Sequence, residues 1–123
     1  MKEKITEYIK EKYGVTPEYL WNDDENAAIR NKRNKKWFGI FICNLPKVRL
    51  GLKGEERIDI LNLKCDPLMI ASIVDNKRIF RGYHMNKQHW ISLLLDGSLP
   101  QDEIEFLIDI SYHLIDSKQK KNP

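Results

Sequence analysis

The brevity of the polar breaks between strand-like runs constrains this chain more than any other feature. Apolar runs at residues 27–30, 37–43, 47–53, 57–64, 78–83 and 90–95 are mostly separated by three to seven residues. A parallel sheet needs a crossover of about a dozen residues or more between neighbouring strands, usually a helix. Only the break between residues 64 and 78 is long enough for one. The expected architecture is therefore α+β: an antiparallel sheet flanked by an N-terminal and a C-terminal helix.

The flanking helices follow from periodicity. Ile5, Tyr8, Ile9 and Tyr13 recur at the spacing of one helical face, and Gly14 supplies a stop. Glu3, Glu7 and Glu11 form an acidic row on the same segment, but the lysines around it mark a solvated face. At the other end, Ile104, Leu107, Ile108, Leu114 and Ile115 define a buried stripe running to about Ser117, with Ser98 and Gln101 at capping-box spacing. Between them, Asp66 is placed to cap a short helix whose first residue is Pro67, where a missing N–H costs nothing.

Individual strands can also be read. Residues 37–43 are apolar on both faces and belong in the middle of the sheet. Residues 47–53 alternate, with Val48, Leu50 and Leu52 on one side and Lys47, Arg49 and Lys53 on the other, and are predicted to be a strand with one positive, wet face. The phase of the apolar residues shifts near Ile60, which predicts a bulge or bend there. The run at residues 22–26 is a loop signal, and residues 30–36 form a basic hairpin tip.

At 123 residues the chain fits one domain, expected over residues 1–117 with a polar tail at 118–123. No apolar run approaches the roughly 20 residues of a membrane span, and the first residues lack the apolar core of a secretory signal. A cytoplasmic, monomeric protein is expected, with no membrane partner. Cys43 and Cys65 are expected to be reduced and mostly buried. The net charge of +3 is unevenly spread: residues 21–60 and 61–95 each carry +3, whereas residues 96–123 carry −3. The sheet region is basic and the last helix acidic, so an anionic partner would meet the former.

Three motifs stand in order: residues 62–67 (Asn-Leu-Lys-Cys-Asp-Pro), residues 82–90 (Gly-Tyr-His-Met-Asn-Lys-Gln-His-Trp) and residues 95–100 (Leu-Asp-Gly-Ser-Leu-Pro). A fourth, Ile108-Asp109-Ile110-Ser111-Tyr112, lies in the last helix. With these motifs the chain resembles the MmcQ/YjbR-like family of small bacterial proteins over nearly its whole length. The resemblance implies a CyaY-like (frataxin-like) or double-wing fold and DNA binding. Gln88 departs from the family pattern, which often has a basic residue there, and lowers the positive charge of that segment.

Three kinds of site are open to these residues. A nucleic-acid surface would use Arg30, Lys32, Arg33, Lys35 and Lys36 at the hairpin tip with Lys47, Arg49 and Lys53 on the neighbouring strand, through salt-dependent phosphate contacts. The same charges could serve only to keep a sheet edge soluble. His84, His89, Cys65 and Asp66 have metal-ligating and acid/base chemistry, but no second Cys or third His completes a familiar spacing. Neither enzymatic activity nor a metal or other cofactor is expected.

The motif residues Lys64, Cys65, Asp66, Tyr83, His84, Asn86, Lys87, His89 and Trp90 also admit an architectural role. In it Gly82 relieves a tight backbone, Tyr83 and Trp90 pack, and His84, Asn86 and Asp66 bond backbone groups. Finally, Tyr19, Trp21, Trp37, Tyr83 and Trp90 could line a groove for a protein or small ligand.

Overall fold

The computed structural model describes residues 1–21 and 25–117. The expected tail at residues 118–123 and the middle of the expected loop, residues 22–24, lie outside these. The chain runs α1 (Lys2–Tyr13), β1 (Ala27–Arg30), β2 (Trp37–Pro46), a 3-10 turn (Lys47–Leu50), β3 (Arg57–Lys64), α2 (Pro67–Ile73), β4 (Ile79–Arg81), β5 (Trp90–Leu94) and α3 (Gln101–Ser117). The strands form one five-stranded sheet in the order β1-β2-β3-β5-β4. Every pairing in it is antiparallel. The α+β expectation holds.

The helices start and stop where local chemistry directs. Gly14 ends α1 at φ 69 and donates its N–H to the Lys10 carbonyl, a left-handed closure that glycine adopts without steric cost. Asp66 caps α2 by accepting the Leu68 N–H at 2.8 Å, and Pro67 occupies the first turn. The Ser98–Gln101 capping box does not form. Ser98 Oγ instead donates to Asp96 at 2.6 Å, Gln101 Nε2 donates to Glu105 at 2.8 Å, and the Pro100 carbonyl takes the first helical N–H groups. The turn at Asp96 captures the serine before the helix can use it.

The two faces of the sheet are covered differently. One buries Ile29, Phe41, Leu61, Leu63, Ile91 and Leu93 against Ile5 and Ile9 of α1 and Ile104 and Ile108 of α3. Each such side chain contributes roughly 1.5–3 kcal/mol when fully buried. The other face gathers Leu45, Ile60, Phe80 and Leu94 under half-buried Leu50, Leu52, Ile58 and Tyr83.

That second cover overturns the strand expected at residues 47–53. Lys47–Leu50 is a 3-10 turn closed by Gly51 at φ 81. Leu50 and Leu52 fold down onto the sheet, while Val48 stays 57% exposed. Of the three apolar residues only Leu50 and Leu52 are covered, and a 3-10 turn followed by a loop lays them on the sheet without a strand. The bulge expected near Ile60 lies across the ladder, in β2: Ile42 pairs with Ile60 and Leu45 with Ile58, leaving Cys43 and Asn44 opposite Asp59. Asn44 takes φ 57 there. Leu114, expected in the buried stripe of α3, is only half-buried.

Pairing also fixes where the connections point. Gly39 pairs with Leu63, and Lys64 pairs with Trp90. The loop before β2 (residues 31–36) and the loop before β5 (residues 82–89) therefore project from the same end of the sheet. They lie toward opposite edges, because β1 and β4 are the outer strands.

Candidate functional site

The β1–β2 loop is built on Asn31. This residue is fully buried, and its Oδ1 accepts the N–H groups of Arg33 at 2.8 Å and Asn34 at 3.0 Å. Its backbone closes the loop as well, donating to the Lys36 carbonyl and accepting from the Lys35 N–H. Lys35 sits at φ 66. With the backbone so occupied, Lys32, Arg33, Lys35 and Lys36 turn outward and are exposed. Sequence reasoning picked out these cations and missed Asn31. The available signal was an asparagine opening a polar run, where its side chain can bond backbone N–H groups two and three residues on.

The eight expected phosphate-binding residues do not form one patch, and three of them meet carboxylates. Arg33 pairs with Asp116 at the end of α3. Arg30 Nε lies 3.2 Å from Glu18 without hydrogen-bond geometry, and Lys47 Nζ is 3.1 Å from Glu56. Lys32, Lys35 and Lys36 at the tip, and Arg49 and Lys53 in the segment over the sheet, have no carboxylate within ion-pair distance among the described residues. Arg30, Lys32 and Lys35 line a groove of about 290 Å³ with Gly14, Thr16 and Glu18.

The β4–β5 connection is a tightly bonded hairpin. Gly82 N–H donates to the Trp90 carbonyl at 2.8 Å. A Cβ on Gly82 would stand 2.6 Å from Trp90 Cβ and 3.1 Å from Met85 Cβ, so only glycine fits. Asn86 Oδ1 accepts the Gln88 N–H at 2.8 Å, and Lys87 Nζ donates to the Gly82 carbonyl at 2.8 Å. The Cys65 N–H, from the first motif, donates to the His89 carbonyl at 2.8 Å. Trp90 is 7% exposed, and Lys64 Nζ lies 5.2 Å from the centre of its ring.

Beneath this hairpin is a buried polar relay. Ser92 Oγ donates to Asn62 Oδ1 at 2.5 Å and accepts the Tyr83 N–H at 2.8 Å. Asn62 Nδ2 then donates to the Tyr83 carbonyl at 3.0 Å. Both backbone groups of Tyr83 are thus held by residues with no solvent exposure, which satisfies polar atoms that burial would otherwise penalise.

The architectural role expected for Gly82, Asn86, Asp66 and Trp90 is what these contacts describe. His84 differs. It makes no hydrogen bond among the described residues. It is exposed at φ 58, with its ring stacked on Tyr83 at 4.0 Å and 11°.

The residues proposed as metal or catalytic ligands are drawn to separate tasks. Asp66 caps α2, and His84 lies on Tyr83. Burial raises the Cys65 thiol to about 11, which disfavours the thiolate that metals and electrophiles require. Among the described residues no three His, Cys, Asp or Glu side chains converge as a metal-binding set.

Nor do the five aromatics line one groove. Tyr19 and Trp21 are 51% and 40% exposed. Trp21 meets half-buried Trp37 edge to face at 5.9 Å, with Arg30 5.9 Å from the Trp37 ring centre. Trp90 is core, and Tyr83 belongs to the other hairpin.

The fourth motif acts on the far side of the sheet. Asp109 accepts from Tyr8, Lys12 and Tyr13, all in α1. Ser111 donates to the Phe38 carbonyl at 2.9 Å, and Tyr112 stacks on Tyr13 at 3.9 Å. Nearby, Met69, Ile73, Ile79, Phe106 and Leu107 line an apolar groove whose one charged lining residue is Glu103; it lacks convergent polar groups to orient a ligand. No helix among the described residues is long and apolar enough to cross a membrane.

Comparison with known proteins matches these features to a family. The YjbR family model matches residues 10–114. The chain is 46% identical over 114 residues to the uncharacterized protein YyaQ of Bacillus subtilis, covering 92% of this chain and 96% of that one. It is 55% identical over 29 residues to the uncharacterized protein YjbR of Escherichia coli, about a quarter of each chain. A crystal structure of a Pseudomonas syringae protein superposes with a TM-score of 0.87 at 33% identity, covering 93% of this chain and 97% of that one. A Deinococcus radiodurans protein, DR2400, shares the fold with a TM-score of 0.70 at 20% identity over 94% of this chain and 78% of its own. The match over most of the chain shows that this protein belongs to the YjbR family, the MmcQ/YjbR family that its motifs resemble.

Proposed function

We propose that the protein binds DNA through the end of the sheet from which its two hairpin loops project, contacting phosphates with Lys32, Lys35 and Lys36. The observation that carries this reading is the β1–β2 tip: Asn31 bonds its backbone, and these three lysines are exposed with no carboxylate in ion-pair distance among the described residues. Exposed, unpaired cations on a short, internally bonded loop retain their charge for an anionic partner. Pairing a cation internally, as Arg33 does with Asp116, removes much of that charge.

The second hairpin adds Lys87 and Arg81 toward the opposite edge. Two basic hairpins at one end of an antiparallel sheet have the form implied by a double wing, and a β-ribbon fits the major groove. In this reading Arg30, Arg33 and Lys47 shape the surface, and Arg49 and Lys53 lie on the other cover of the sheet. The protein acts as a monomeric binding module, without turnover of a substrate.

Fluorescence anisotropy with a labelled random duplex tests the proposal. Replacing Lys32, Lys35 and Lys36 together by Glu should abolish binding at low salt, and affinity of the unmodified chain should fall with salt at a log–log slope of about 0.9 per phosphate contacted. Undiminished affinity in the triple variant would refute the assignment.

A further inference from the structure

The sheet face opposite the helices carries a second feature, which phosphate contact at the hairpin tip does not use. Tyr83 stands between two grooves, and Arg49 lines both. One, of about 210 Å³, is also lined by Phe80, Arg81 and Lys87. The other, of about 310 Å³, is lined by Asn26, Cys43, Asn44 and His84 as well. Together they fall within the roughly 300–1,000 Å³ of small-ligand clefts. Three cations face them, and no Asp or Glu lines either groove among the described residues.

The aromatic element between them is held in place. The buried Asn62–Ser92 relay fixes both backbone groups of Tyr83. The His84 ring lies parallel to the Tyr83 ring at 4.0 Å. One face of the imidazole is therefore covered, and since His84 is exposed, its other face is open. His84 reaches this position by adopting φ 58, in the left-handed region that disfavours a residue with a Cβ. Its contact there is the stack on Tyr83, with no hydrogen bond among the described residues. The arrangement combines a stacking surface for a planar ring with cations for an anion.

We propose that these grooves form one nucleotide-binding site, in which a base stacks on the open face of His84 and the phosphate is held by Arg49, Arg81 and Lys87. Asn44 lines the second groove and can offer its side-chain amide to the base edge. The site goes beyond duplex contact at the β1–β2 tip: it uses none of the three lysines there and shares with the proposed duplex surface only Arg81 and Lys87 of the second hairpin. The same chemistry is presented by a free nucleotide and by one nucleotide of a single strand.

Isothermal titration of the full chain with adenosine 5′-monophosphate, adenosine, inorganic phosphate and a short oligothymidylate tests the proposal and separates these sources. Saturable binding is expected for the monophosphate, the oligothymidylate or both, and whichever binds identifies the source. His84→Asn keeps a residue that tolerates the left-handed backbone while removing the stacking ring, and should weaken binding at least about fivefold. Arg49→Gln should weaken it about tenfold. Both variants should melt like the parent.

Inorganic phosphate that binds as tightly as the monophosphate, with no effect of His84→Asn, would overturn the site as a nucleotide site. So would the absence of saturable binding by every probe. The variant with Lys32, Lys35 and Lys36 replaced by Glu should keep its affinity for the monophosphate. Failure of duplex binding and failure of this site are therefore read independently.

Discussion

The Tyr13 hydroxyl donates to Asp109 Oδ1 at 2.5 Å, across 96 positions of sequence. Tyr8 and Lys12 donate to the same carboxylate at 2.8 Å, so one acidic side chain of α3 gathers three donors from the N-terminal helix region. Burial of Asp109 works to raise its carboxyl, and the hydrogen bonds from Lys12, Tyr13 and Tyr8 overcome it to leave the group below its ordinary value. Burial and the neighbouring carboxylate push the Tyr13 phenol the other way, upward.

A carboxyl depressed in the folded state stabilises that state above its unfolded pKa and ceases to do so as pH falls through the folded one. Asp75 behaves likewise: its carboxyl, which burial would raise, is held at about 2 by the backbone N–H groups of Arg78, Ile79 and Lys77. We expect the melting temperature to be flat near neutrality and to fall between roughly pH 5 and pH 2. Asp109→Asn should lower stability at pH 7 by about 1–3 kcal/mol and flatten part of that acid limb. A pH series of thermal melts on both proteins checks this; an identical acid limb in the variant would show that Asp109 does not contribute to it.

How much of this could be read beforehand depends on the range of the interaction. Gly14, Asp66 and Pro67 act within four residues, and their roles are legible in the sequence because capping chemistry is local. Asp109 resembles any solvated acid of an acidic helix until α1 is packed against it. Asn62 is equally silent: an asparagine in a strand signals a defect in the pattern, and its partner Ser92 lies 30 positions away. The segment at residues 47–53 misled for another reason. Alternation is a pattern of residue types only: Leu50 and Leu52 pack on the sheet itself, while Val48 faces solvent. At the site, residue types picked out the cations of the tip, yet charge alone could not say which would be spent on Asp116, Glu18 and Glu56.

Gly82 is a second point at which stability can be probed. Its backbone does not require glycine, but the Trp90 Cβ would lie 2.6 Å from a Cβ placed there. Gly82→Ala must push the two hairpin strands apart, at a cost of about 1–3 kcal/mol for overpacking. Urea denaturation should show a lower midpoint with an unchanged slope. Equal midpoints would mean that the hairpin yields without strain.

The Asn62–Ser92 relay predicts non-additivity. Ser92→Ala leaves the Tyr83 N–H and Asn62 Oδ1 without their buried partner, and Asn62→Ala leaves the Tyr83 carbonyl and Ser92 Oγ in the same position. Each single change should cost about 1–3 kcal/mol. Because both break one network, the double variant should cost less than the sum by about 0.5 kcal/mol or more. Additive losses in the double-mutant cycle would show that the two residues act separately.

Arg33 and Lys32 are adjacent on the same loop and should differ in their effect on stability. Arg33 Nη2 donates to the Asp116 carboxylate and, at 3.3 Å, to the Asp116 carbonyl, tying the hairpin to the end of α3. Lys32 has no ion pair among the described residues. Arg33→Glu places two carboxylates together and should lower the melting temperature while also weakening DNA binding. Lys32→Glu should leave the melting temperature unchanged, because an exposed single charge is worth within about 0.5 kcal/mol, and reduce the salt slope of duplex binding by about 0.9. Thermal melts and anisotropy titrations on the two variants separate the roles. If Lys32→Glu changed stability but not the slope, the tip lysines would be structural and the phosphate contacts would have to lie elsewhere.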